Sequence, residues 1–140
     1  MRVLLDTDVV LDLILDRQPF VQASIELFEL HEQGRLDIFI SAITPINVFY
    51  ITRKNKDIGT ARQAVDELLA KVAVCPLDQR ILEQGRKTSF KDYEDAVQHA
   101  SALASGLDAI VTRNLKDYNN ATLPVFSQTD FLAKLNSQPT

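Results

Sequence analysis

Along this chain, apolar residues gather in five short unbroken runs, and between the runs they recur every three or four positions. The runs Val3 to Leu5, Asp37 to Ser41, Val72 to Cys75, Ala109 to Thr112 and Pro124 to Phe126 have strand length and predict five strands. Val9, Val10, Leu13 and Ile14 then share one face of a first helix, and Ile25, Leu27, Phe28 and Leu30 mark a longer one between Pro19 and Gly34. A third helix, carrying Ile46, Val48, Phe49 and Ile51, starts near Thr44 or Pro45, where proline suits a first turn. The fourth is expected from about Ile58 to Lys71, with Ala61, Val65, Leu68 and Leu69 inward. Asp78 caps a fifth with Ile81 and Leu82. A sixth turns Tyr93, Ala96, Val97, Ala100 and Leu103 to Ala104 inward and ends at Gly106. The last begins at Thr129 or Asp130 and carries Phe131, Leu132 and Leu135, leaving Asn136 to Thr140 as a loose tail.

Strands alternating with helices imply right-handed crossovers and a parallel sheet covered on both faces, so the fold class is α/β. The strand at Val3 should lie near the sheet centre, because Asp6 at its end must meet side chains from both later halves of the chain. At 140 residues the chain has the size of one domain, expected to span 1–140, and it shows no repeat or dividing linker. The first apolar run is broken by Asp6, Asp8 and Asp12 with no small-residue cleavage site behind it, so neither a signal peptide nor a membrane span is expected. A single cysteine, Cys75, excludes an intrachain disulfide and a cysteine metal cluster. Both points favour a cytoplasmic protein. The formal charge of −4 argues against indiscriminate attachment to nucleic acid, although acids gathered in one pocket would hide bases on its rim.

The candidate chemistry lies where buried elements break open onto acids. Asp6 follows a buried strand, at the sheet edge where open α/β sheets build their sites. Asp8 and Asp12 follow it on the first helix, where local structural use competes with ligation. Asp92 and Asp95 are spaced i, i+3 at the start of the sixth helix; Asp92 also suits a cap, and Glu94 and Asp95 suit its first turn. A polar loop, Thr112-Arg113-Asn114-Leu115-Lys116-Asp117-Tyr118, follows the fourth strand. Carboxylates brought together repel one another unless a divalent cation sits between them, and oxygen ligands favour Mg²⁺ or Mn²⁺. Arg53, Lys54 and Lys56, then Arg86, Lys87 and Lys91, then Arg113 and Lys116 are the bases available to offset such a pocket. His31 suits the negative end of its helix dipole, and His99 reads as a helix-surface histidine. Phe28, Phe39, Phe49 and Tyr50 read as core or dimer contacts, and Cys75 as core.

In order and spacing, Leu-Leu-Asp6-Thr7-Asp8-Val-Val-Leu-Asp12, Ser41-Ala-Ile-Thr44-Pro-Ile-Asn47-Val, Asp92-Tyr-Glu-Asp95-Ala and Ile-Val-Thr112-Arg113-Asn114-Leu-Lys-Asp117-Tyr118 resemble the PIN-domain family, close to its small VapC-type toxin ribonucleases. The resemblance covers nearly the whole chain. It implies a three-layer α/β/α sandwich with a five-stranded parallel sheet, and a metal-dependent endoribonuclease that hydrolyses phosphodiester bonds in RNA. Asp6, Asp95 and Asp117 would take the catalytic and Mg²⁺ or Mn²⁺ positions, with Thr112 and Asn114 lining the pocket and Arg53, Lys54, Arg113 and Lys116 as RNA contacts. A small antitoxin protein and a homodimer are the partners it implies. The departure is Asn47, where the family usually carries a glutamate, with Asp92 as a possible compensation; Asp8 stands where asparagine is common. Two other readings remain at this point. One is a weakened PIN-like RNA-binding or interaction module. The other is a haloacid-dehalogenase-type phosphatase with Asp6 as nucleophile and Asp8 as acid, which lacks a convincing lysine motif.

Overall fold

A computed structural model describes residues 1–137. The elements run β1 (Arg2–Leu5), α1 (Thr7–Ile14), α2 (Val21–Glu32), β2 (Asp37–Ser41), α3 (Ile43–Asn55), α4 (Ile58–Lys71), β3 (Ala73–Cys75), α5 (Gln79–Arg86), α6 (Tyr93–Ala104), β4 (Ala109–Val111), a 3-10 turn (Leu115–Tyr118), β5 (Val125–Phe126) and α7 (Gln128–Ser137). All five strands fall where the apolar runs placed them, and α4 has the expected bounds. The tail expected from Asn136 is helical through Ser137, and its remainder lies outside the described residues.

The sheet is parallel throughout, in the order β3-β2-β1-β4-β5, so β1 is central as expected. From β1 the chain steps outward to β2 and β3, then returns past β1 to β4 and β5. A right-handed crossover places its helices on one face for steps in one direction and on the opposite face for the return. Side-chain alternation agrees. Val3, Leu5, Ile38, Ile40, Ala109 and Val111 pack with α1, α2, α3, α4 and α7, whereas Leu4, Phe39 and Ile110 pack with Ala102 of α6 and Tyr118 of the 3-10 turn. The result is the three-layer α/β/α sandwich. The direction of winding reverses between β1 and β4, and a crevice opens there at the carboxyl edge.

Some inward assignments fail because an idealised stripe is wider than the contact a short helix makes. Leu69 is 49 % exposed, and Tyr93 and Leu103 also face outward. Gly106 closes α6 at φ +68, a left-handed conformation that glycine adopts freely. His31 staples the sheet rather than merely facing a helix dipole: Ile38 N–H donates to its Nδ1 (3.0 Å), and its Nε2 lies 2.7 Å from Lys71 O.

Candidate active site

Asp6 leaves β1 at the winding reversal. Its N–H donates to Val111 O at 3.0 Å, extending the β1–β4 pairing, and its carbonyl accepts from Val9 and Val10 in the first turn of α1. Its extended backbone holds the N-cap position, yet its side chain caps nothing. The carboxylate instead accepts Thr112 Oγ1 at 2.7 Å and Gln98 Nε2 at 3.1 Å, and is only 4 % exposed. Burial raises its pKa above the ordinary aspartate range; the two hydrogen bonds oppose that shift and Asp8 adds to it. Thr112 is fixed in turn by Asn114 N–H, which donates to its hydroxyl at 3.0 Å.

The opposite wall is the start of α6. Asp92 has extended backbone and caps the helix, its Oδ1 accepting Asp95 N–H at 3.0 Å. Asp95 is buried, and its pKa is pushed up to about 8, first by desolvation and then by Asp6, Asp92, Asp117 and Glu94. Tyr118 points its hydroxyl at Asp95 Oδ1 (3.4 Å), and burial with the surrounding carboxylates keeps that hydroxyl protonated. Glu94 reaches across to α3, where Asn47 Nδ2 donates to its Oε1 at 2.8 Å. Its pKa is also raised, by burial and then by Asp6 and Asp92. A pair of buried hydroxyls, Thr7 and Thr44 at 3.0 Å, sets the start of α3 against α1 and so fixes where Asn47 stands.

These groups line one cavity of about 270 Å³: Asp6, Thr7, Asp8, Asn47, Ile51, Asp92, Glu94, Asp95, Asn114 and Asp117. Six of the ten are carboxylates, and no lysine, arginine or histidine is among them. A lining dominated by carboxylates, with no cationic side chain among them, fits a hard divalent cation. As the side chains stand, no three among the described residues form a finished ligand set. Each of the best-placed acids already has a partner: Asp6 has Thr112 and Gln98, Glu94 has Asn47, and Asp92 has the α6 amide. A larger cavity of about 420 Å³ between α1, α2 and α4 has Glu67 as its one carboxylate and contains none of this chemistry.

The structure brings Asp6, Asp95 and Asp117 to one cavity, with Asn47, Asp92, Asp8 and Asn114 beside them and Thr112 beneath Asp6. Asn114 Nδ2 donates to Asp8 at 3.0 Å. Lys116 stands past Asp117 on an adjoining hollow. Arg53 and Lys54 are exposed in the last turn of α3, outside the cavity lining. Arg113 is turned away from the rim. Its Nε lies 3.1 Å from Asp12, and its guanidinium carbon sits 4.1 Å over the Phe20 ring.

Sequence reading missed three groups. Glu94 is accounted for in the sequence by the helix dipole, Gln98 belongs to no motif, and Asp12, left between local structural use and ligation, has no exposed surface. Asp12 also accepts Gln128 Nε2 at 3.1 Å, tying α1 to α7; burial raises its pKa, and Arg113 and Gln128 pull it back. A polar residue inside an apolar helix face was the available signal for Gln98. His99 is likewise no surface histidine. It is buried, stacks on Phe90 at 5.3 Å and accepts Thr122 N–H at 3.1 Å, because the segment after the 3-10 turn folds back over α6. Burial lowers its pKa.

The family described as PIN domain matches residues 2–116. No curated protein is significantly similar in sequence. Among solved structures, the DNA-bound VapBC of Salmonella typhimurium superposes with a TM-score of 0.69 at 20% identity, covering 91% of this chain and 98% of that one. A toxin-antitoxin complex from Klebsiella pneumoniae gives 0.66 at 23% identity, covering 90% and 97%. The Mycobacterium tuberculosis VapC20, a Sarcin-Ricin loop cleaving toxin, gives 0.62 at 13% identity, covering 77% and 86%. At these identities the likeness is one of fold.

Proposed function

The chain belongs to the PIN-domain family, and from that premise we propose that it is a Mg²⁺- or Mn²⁺-dependent endoribonuclease, the toxin of a toxin-antitoxin pair. The observation that carries the proposal is the cavity at the winding reversal in which six carboxylates meet with no lysine, arginine or histidine in the lining. Asp6, Glu94, Asp95 and Asp117 are the residues to hold the ion. When bound, the ion supplies an acidified water and relief of charge on a phosphate oxygen. Thr112 and Gln98 keep the Asp6 carboxylate in one orientation. Burial and the neighbouring acids raise the Asp95 pKa to about 8, so its carboxyl would need cation charge beside it to ionise at neutral pH; once ionised, its Oδ2 is suited to accept a proton from the attacking water while Tyr118 holds Oδ1.

Glu94 supports an active nuclease over a lapsed one: its Oε1, 2.8 Å from the Asn47 amide, offers an acid from the facing wall beside the position where α3 lacks one. The phosphatase reading needs a lysine beside Asp6, and no lysine lines the cavity. Among the described residues no helix is long and apolar enough to cross a membrane, and cytoplasmic action on RNA is part of the proposal. So is a small antitoxin partner, supported by the toxin-antitoxin complex among the structures of like fold. A homodimer would pair through an apolar face such as Ile46 and Tyr50, 59 % and 61 % exposed on α3.

The test is cleavage of a panel of structured RNAs, ribosomal and transfer RNA included, with Mn²⁺ or with EDTA. Cleavage that requires Mn²⁺ and disappears in Asp95→Asn is the expected result. A well-folded protein that cuts none of the panel, or cuts equally in EDTA, overturns the reading.

A further inference from the structure

A substrate polyanion must approach a pocket of six carboxylates, so some group beside the pocket has to hold its backbone. The nearby bases differ sharply in availability. Arg113 is committed to Asp12 and Phe20, and Arg17 lies 3.9 Å from Asp8 and 4.0 Å from Asp12. Lys91 and Lys116 make no ion pair among the described residues. Both line a second cavity, of about 500 Å³, with Asp117, Asn119 and Asn120. Asp117 also lines the acidic cavity, so the two hollows share a wall.

This second hollow is built by contacts distant in sequence. Lys91 precedes the Asp92 cap, and Lys116 lies in the 3-10 turn. Asn120 Nδ2 donates to Ser89 O at 3.2 Å, and Phe90 packs edge-on against Tyr118 at 5.7 Å, which together hold the two segments against each other. Two ammonium groups and two side-chain amides provide donors for anionic oxygens, against one carboxylate on the shared wall.

We propose that Lys91, Lys116, Asn119 and Asn120 form a subsite for a backbone phosphate of the RNA, flanking the phosphate that is hydrolysed. The inference rests on the endoribonuclease reading and deepens it: the ammonium groups bind the phosphodiester monoanion directly, and Asp117 separates that phosphate from the acidic cavity. The subsite recognises backbone charge and carries no base preference.

The test compares wild type with Lys91→Gln, Lys116→Gln and the double variant, with Lys134→Gln on α7 as control. Anisotropy of a labelled single-stranded RNA in EDTA reads binding without cleavage. Steady-state cleavage in Mn²⁺ between 50 and 300 mM KCl reads the rest, these settings being on the order of the usual salt range for such work. Each single variant should raise Kd and KM roughly fivefold to tenfold with little change in kcat. The double variant should flatten the salt slope of log Kd by about 0.7 for a single-stranded backbone contact. A single methylphosphonate at the flanking position should weaken wild type and leave the double variant unaffected. Unchanged Kd and salt slope in the double variant overturn the subsite, whether or not the protein cleaves. Lost RNA binding in a protein that cleaves nothing upholds the subsite and overturns the endoribonuclease reading. Retained RNA binding with loss of an acidic peptide's binding assigns the hollow to a protein partner and also overturns the proposal.

Discussion

Asp95→Asn should stabilise the metal-free protein at alkaline pH. In the native state burial and four neighbouring carboxylates push the Asp95 pKa from 3.8 to about 8, whereas in the unfolded chain it returns to the ordinary value. Between pH 4 and 8, roughly, the native state keeps a proton that the unfolded state has lost. Stability therefore falls as pH rises through that window and levels off above it. Converted in full at about 1.36 kcal/mol per unit, the shift would correspond to about 6 kcal/mol. Water entering the open cavity screens much of this, leaving about 1–3 kcal/mol. Asparagine keeps the shape and the acceptor facing Tyr118 but cannot ionise. Urea denaturation in EDTA at pH 4.5 and 8.5 should give near-equal stabilities at the lower pH and a variant more stable by that amount at the higher. Saturating Mn²⁺ should reverse the order, because the ion binds the native wild type more tightly. Equal stabilities at pH 8.5, or a weaker variant, would refute the claim that these carboxylates strain one another.

Asp6→Asn should reduce Mn²⁺-dependent RNA cleavage to background with an unchanged circular dichroism spectrum; residual Mn²⁺-dependent cleavage at the wild-type rate would exclude Asp6 from the chemistry. Asn47→Glu replaces a donor to Glu94 with a like charge, so the metal-free protein should lose about 1–2 kcal/mol and recover part of it with Mn²⁺ in calorimetric melts. Asp12→Ala leaves Arg113 without its buried partner and should cost about 3 kcal/mol, seen as a lower urea midpoint. Gly85→Ala would set a methyl group 3.0 Å from Val97 Cγ2 and 3.2 Å from Val97 N, which should cost about 1–3 kcal/mol by thermal melt while Mn²⁺ affinity is retained.

Most of the fold was legible because the strands at Val3, Asp37 and Ala109 are dense apolar runs too short for helices. Asp6 was legible for the same reason, since it ends a run, Val3 to Leu5, that is fully buried. What stayed hidden depended on contacts far apart in sequence. The i, i+3 argument put Asp92 and Asp95 on one helical face, but Asp92 lies outside the helix as its cap, and Glu94 within the first turn has the length to reach α3. Arg113 reads as a rim cation because it lies in the loop with Asn114, Lys116 and Asp117, whereas its partner Asp12 is on α1. His99 is buried only because Thr122 returns over it.

The central strand of the sheet is also the first to be synthesised. Asp6 waits for Gln98, 92 residues later, and for Thr112, 106 residues later; Asp12 meets Gln128 only after 116. At translation speeds of about 5–20 residues per second, the acid that anchors the cavity spends on the order of 5–20 s without its partners. A nascent chain that stops before α6 contains the aspartate but not the wall that faces it. The separation in sequence between the ends of this hydrogen-bond network acts as a completion lock: the acidic cavity closes only when most of the chain is present.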